Sequence, residues 1–147
     1  MHGGPGEACP NTRPFVRRLP FEMGSAAVAR RALATELEDA GFTRQEVEDV
    51  ALVLTEMLHN AVAHGRPLPT GVVEVQWTLT RELLRIAVRD GGHVEALHPL
   101  HPTDTEPGGR GLLMIEGLAS RWTVPTGVAT TLVVAEFDRT TSASPCT

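Results

Sequence analysis

The stretch Glu56 to Gly65 reads E-M-L-H-N-A-V-A-H-G and closes a long helical pattern. Val50, Ala51, Leu54, Leu58, Ala61 and Val62 recur at three- and four-residue steps, the apolar face of an amphipathic helix. Glu56, Asn60 and His64 are spaced four apart, so they stand one turn above another along one side of that helix. A carboxylate, a carboxamide and an imidazole in that line could border a polar site. The same residues could equally form a solvated face that ends in a glycine cap at Gly65.

The chain around this stretch has 147 residues, enough for one domain with a real core. Hydrophobic residues make up 41% and charged residues 21%, the balance of a water-soluble globular fold. With a formal net charge of -5 there is no basic footprint for nucleic acid and no polybasic membrane segment. No apolar run approaches the roughly 18 residues of a membrane span. The first residues, M-H-G-G-P-G-E, lack the pattern of a signal peptide. A cytoplasmic location is the expectation, with Cys9 and Cys146, both in tail-like sequence, as free thiols.

Working outward, residues 1–12 read as a flexible tail, and Arg13 to Phe21 as a strand that Pro14 and Pro20 confine to an edge. Ser25 is placed to cap a helix that stops at Gly41. Thr43, with Glu46 three residues on, makes the capping box of the helix that ends near His64. The period then changes. Val72–Thr80 and Leu83–Asp90 alternate around Arg81-Glu82 and predict a hairpin. After Asp90-Gly91-Gly92 comes a loop of about fifteen residues without periodicity, a length that points to function or disorder. The run G-G-R-G-L-L-M-I-E-G-L-A opens a short helix at Gly108, Gly109 and Gly111. Arg121–Val124 is a brief strand, Gly127 a turn, Val128–Phe137 a buried final strand, and residues 139–147 a second tail.

Two further sites are chemically suggestive. Asp90 ends a strand and is followed by glycines, so its carboxylate could accept from an exocyclic amine while a flat ring approaches the backbone; D-G-G is also a common turn. Glycines at a helix start free backbone amides to bind an anion, and Arg110 could add charge there.

The order of these features resembles the Bergerat-type ATPase domain shared by histidine kinases, gyrase B and MutL. Glu56-Asn60 is similar to its N box, Asp90-Gly91-Gly92 to its first glycine box, Gly109-Arg110-Gly111-Leu112 to its second, and Thr130-Thr131 to the threonine box on its last strand. Within that group the pattern E-x-x-x-N-A-x-x-H-G and the run G-G-R-G-L most resemble small bacterial anti-sigma regulatory serine/threonine kinases. The resemblance spans residues 13 to 138 and implies a two-layer α/β sandwich, a mixed and mostly antiparallel sheet with helices on one face. It implies ATP and magnesium as cofactors. Asn60 would be the magnesium ligand, Glu56 the catalytic base, Asp90 the acceptor of the adenine amine with Gly92 and Thr131 or Thr130 beside it, and Gly109, Arg110 and Gly111 the phosphate holders. His64 and Leu112 join the nucleotide-binding set, and residues 93–107 would form a lid.

One departure is that Val94 stands where the first glycine box commonly has its last glycine. The stretch also lacks a companion helical domain with a phosphorylatable histidine, so a complete sensor kinase is not expected. The implied function is an ATP-binding kinase that phosphorylates an antagonist protein and holds a sigma factor, with the helix around Ala26–Ala40 as a partner or homodimer face. The alternative is a nucleotide-gated binding module with little turnover; Glu56 favours the kinase. A metal protein using His93, His98 and His101 lacks a completing Cys or carboxylate.

Overall fold

A computed structural model describes residues 14–92, 115–124 and 130–139. Residues 1–12 and 140–147 of the tails, the lid, the second glycine box, the three lid histidines, Gly127 and both cysteines lie outside the described residues. The elements run β1 (Phe15–Pro20), α1 (Ser25–Asp39), α2 (Arg44–His64), β2 (Val72–Leu79), β3 (Leu83–Asp90), β4 (Arg121–Thr123) and β5 (Thr131–Asp138).

The strands form one sheet in the order β1-β2-β3-β5-β4. Each of its described pairings is antiparallel, so no parallel pair occurs among them. The reason is the crossover between β3 and β4. These two strands run the same way, but β5 inserts between them and opposes both. β1 takes the edge position that its prolines require, since Pro20 cannot donate to a ladder.

Register puts Val75, Val88 and Val133 in one row, and Leu79, Leu84 and Phe137 in another, all on the face that the helices cover. Leu33 and Leu37 of α1 and Val50, Val53, Leu54, Met57 and Leu58 of α2 fill the same core cluster. The apolar stripe of α2 is wider than the sequence pattern suggests: Val53 and Met57 are buried, whereas Val62 is only half-buried. A helix held between α1 and the sheet buries more than one stripe.

Both helix starts anchor the site-bearing layer, by different means. Thr43 forms the expected capping box: its hydroxyl accepts from the Glu46 amide at 3.1 Å while the Glu46 carboxylate accepts from the Thr43 amide at 2.8 Å. Ser25 departs from expectation. Gly24 holds the cap position, and Ser25 is the first helical residue, 3% exposed. Its hydroxyl donates to the Pro20 carbonyl at 2.6 Å and ties α1 to the end of β1.

Candidate functional site

The site begins where α2 runs out beside the end of β3. Glu56 and Asn60 are half-buried and His64 is exposed in the last turn of α2. In the next segment the Arg66 amide donates to Asp90 Oδ1 at 3.3 Å, and Arg66 accepts from the Gly91 amide at 2.6 Å. The D-G-G turn is thereby fastened to the chain leaving the helix. This brings the C-terminal end of α2 and the expected first glycine box together.

Asp90 is 3% exposed, and its Oδ1 also accepts from the Gly92 amide at 2.6 Å. Burial pushes its carboxyl above the ordinary value, and the hydrogen bonds from Gly92 and Arg66 act against that rise. Both bonds fall on Oδ1, so among the described residues Oδ2 takes none. A buried carboxylate with one oxygen anchored and one uncommitted is suited to read a single donor.

Register sets Thr131 directly across from Asp90 on the helix-covered face. Thr131 is 4% exposed, and a side-chain carbon built on Gly92 would lie 3.5 Å from its hydroxyl oxygen. Gly92 is therefore held in a tight corner between Asp90 and Thr131 that leaves no room for a side chain. Thr130 does not share it. The Thr130 hydroxyl accepts from Arg89 Nη1 at 2.7 Å, and Arg89 lies on the face of the sheet opposite the helices. Of the two threonines, Thr131 is the one at the site.

Asn60 supplies the other polar group. Its Nδ2 is buried with no hydrogen-bond partner among the described residues. Native folds pair such atoms, which makes this position a candidate contact point for a bound group. Turning the amide over puts its oxygen in that position, and an amide oxygen is a suitable magnesium ligand. Asn60 is therefore compatible with the magnesium role. No group of three or more His, Cys, Asp or Glu side chains that could hold a metal occurs among the described residues.

Sequence reasoning missed two residues here. Gly65 caps α2 as expected, its amide donating to the Ala61 carbonyl at 2.8 Å, but its backbone is extended (φ -95°, ψ -157°), a conformation open to any residue, so capping alone does not explain the glycine. A side-chain carbon on it would collide with the Asp90 carboxyl. Arg89 was one polar residue in an alternating strand.

The family model of the histidine kinase-like ATPase domain matches residues 19–135. The chain belongs to this family. Among solved structures, the RsbU and RsbW domains of Rv1364c from Mycobacterium tuberculosis align at 22% identity and a TM-score of 0.62, over 86% of this chain and 32% of that one. This chain thus spans about a third of that protein. The SiaB–SiaC complex from Pseudomonas aeruginosa aligns at 14% identity and a TM-score of 0.60, over 87% and 90%. At these identities the likeness is one of fold. No curated protein sequence gives a significant match. No described helix is long and apolar enough to cross a membrane.

Proposed function

We propose that this chain binds ATP with magnesium and transfers the γ-phosphoryl group to a serine or threonine hydroxyl of an antagonist protein, while also binding a sigma factor. The observation that carries the reading is the Asp90 arrangement: a buried carboxylate, one oxygen anchored by Gly92 and Arg66, directly across the ladder from Thr131. The uncommitted oxygen accepts from the adenine amine, which guanine lacks at that position. Family membership and the resemblance to anti-sigma regulatory kinases support the rest.

Glu56 and Asn60, one turn apart on α2, serve the phosphate end. Glu56 accepts the proton of the attacking hydroxyl as its oxygen bonds to the γ-phosphorus and the bond to the bridging oxygen breaks, releasing ADP. Such a base contributes on the order of 10²–10⁴-fold. Asn60 holds the magnesium, which neutralises phosphate charge when bound. Gly109, Arg110, Gly111 and Leu112 belong to the same proposed set, with His64 at the end of α2. Positioning and charge neutralisation dominate phosphoryl transfer, so one carboxylate and one metal ligand suffice. The protein acts in the cytoplasm, and a homodimer through α1 fits the same reading.

The test is incubation with magnesium and radiolabelled ATP beside Glu56→Ala and Asn60→Ala, measuring retained nucleotide and transfer to candidate antagonists. The expected result is binding by wild type, loss of magnesium-dependent binding in Asn60→Ala, and binding without transfer in Glu56→Ala. If Glu56→Ala transferred as fast as wild type, a nucleotide-gated binding module would replace the kinase reading.

A further inference from the structure

A line of polar contacts crosses the face of the sheet opposite the helices, directly behind the Asp90–Thr131 pair. Arg18 on β1 pairs with Glu74 on β2 at 3.2 Å, and Glu74 pairs with Arg89 on β3 at 3.5 Å. Arg89 donates in turn to the Thr130 hydroxyl at 2.7 Å. Register places Arg18 opposite Glu74 and Glu74 opposite Arg89, so the charges lie in one row across three strands. Glu74 uses a separate oxygen for each arginine, and its side chain is only 15% exposed. The row ends at the residue just before β5.

The placement of its last two members is informative. Arg89 immediately precedes Asp90, and Thr130 immediately precedes Thr131. Because neighbours on a strand point to opposite faces, the contact on the outer face joins the same two backbones whose next residues meet at the site. We infer that Arg89, held by Glu74, is a positioning residue for adenine recognition, fixing the start of β5 through Thr130 so that the Thr131 hydroxyl stands beside the Asp90 carboxylate.

Two features argue that this contact matters at this point of the fold. Thr131 is the first residue of β5, where a strand has a ladder on only one side along the chain and frays most easily. The Arg89–Thr130 bond extends the β3–β5 attachment one residue beyond the ladder. Isolated exposed ion pairs contribute little, but here a guanidinium fixed by a half-buried carboxylate meets a hydroxyl, which restricts its geometry. Arg89 does not reach the nucleotide itself, and its effect passes entirely through Thr130 and the strand.

The inference rests on the ATP reading above, and its test separates the two. Thr130→Val, Arg89→Gln and their double variant are compared with wild type and with Thr130→Ser, by calorimetry with ATP and GTP. The Thr131 methyl resonance is followed in nucleotide-free protein. The expected result is a loss of about tenfold in ATP affinity for each single variant, a reduced preference for ATP over GTP, and no further loss in the double variant. Thr130→Ser, which keeps the hydroxyl, recovers most of the affinity. The Thr131 methyl resonance shifts in Thr130→Val and Arg89→Gln without nucleotide. A general structural weakening would lower melting temperature without altering base preference. Wild-type ATP affinity in Thr130→Val, or additive losses in the double variant, would overturn the inference alone. If wild type bound no ATP, the functional reading would fall, and an unmoved Thr131 resonance would still refute the positioning role.

Discussion

Gly65 lies so close against Asp90 that no side-chain carbon fits between them. The glycine ends the helix that carries Glu56 and Asn60, and the aspartate ends a strand on the sheet. Their contact brings the end of that helix and the candidate adenine acceptor together. The backbone of Gly65 asks for no special residue, so its glycine is explained by this approach alone.

Gly65→Ala therefore acts on the carboxylate rather than on the fold. The Asp90 side chain must swing aside and give up its bonds from Arg66 and Gly92. Two such bonds contribute about 1 kcal/mol each, so the melting temperature falls by about 4–8 °C while ATP affinity drops at least about tenfold. Gly91→Ala is the contrast. Its added carbon meets the Pro67 carbonyl, which is backbone and cannot swing, so it loses far more stability than Gly65→Ala. Paired melting and calorimetry measure both.

Asn60 makes a different prediction because its Nδ2 is buried without a partner among the described residues. Leaving such a group unpaired costs about 1–3 kcal/mol. Asn60→Ala removes that cost along with some packing, so the nucleotide-free variant melts within a few degrees of wild type. Its ATP affinity no longer responds to magnesium, whereas that of wild type falls when the metal is chelated. A large loss of stability without nucleotide would show that Asn60 is a structural residue.

The sequence made α2 and the hairpin legible because each declares itself locally: a 3.6-residue period with a capping box, and two alternating runs around a short turn. Asp90 was legible as a strand end followed by glycines. What escaped were relations across the chain. The Arg66–Asp90 bond spans 24 residues and the Arg89–Thr130 bond spans 41, and no local pattern encodes either. The choice between Thr130 and Thr131 depends on which one faces the helices, and that follows from the β3–β5 register. Ser25 misled for the opposite reason. It is a good cap by type, yet its hydroxyl found the Pro20 carbonyl instead.

That substitution of one partner for another can be tested at the two helix starts. Thr43→Ala removes a capping box on an exposed surface and costs about 1 kcal/mol, lowering the melting temperature by about 2–4 °C. Ser25→Ala removes one of two hydrogen bonds to the Pro20 carbonyl, which keeps the one from the Glu22 amide, and disturbs no cap, so its loss resides in the β1–α1 connection. Hydrogen exchange separates them: Ser25→Ala speeds exchange in β1 and the first turn of α1, and Thr43→Ala in the first turn of α2.

Asp90→Asn separates stability from binding, and its sign follows from burial. Burial raises the folded-state pKa of Asp90 above the unfolded value, so the folded chain favours the protonated form. The contribution of this group is fully present below the unfolded pKa and is lost as pH rises through the folded one. At pH 7 the nucleotide-free protein therefore bears the cost of an ionised, buried carboxylate. Asparagine keeps an oxygen for the Gly92 and Arg66 amides and carries no charge. The variant melts at the same temperature as wild type or up to about 3 °C higher at pH 7, and the difference closes as pH falls towards the acid range. Binding moves the other way. The amide nitrogen of the variant confronts the adenine amine donor to donor, and ATP affinity falls about 10–100-fold. Wild-type affinity itself declines as pH drops through the folded-state pKa, because the acceptor oxygen is then protonated, whereas the affinity of Asp90→Asn stays flat across the same window. A variant that bound ATP as tightly as wild type at pH 7 would remove Asp90 from adenine recognition.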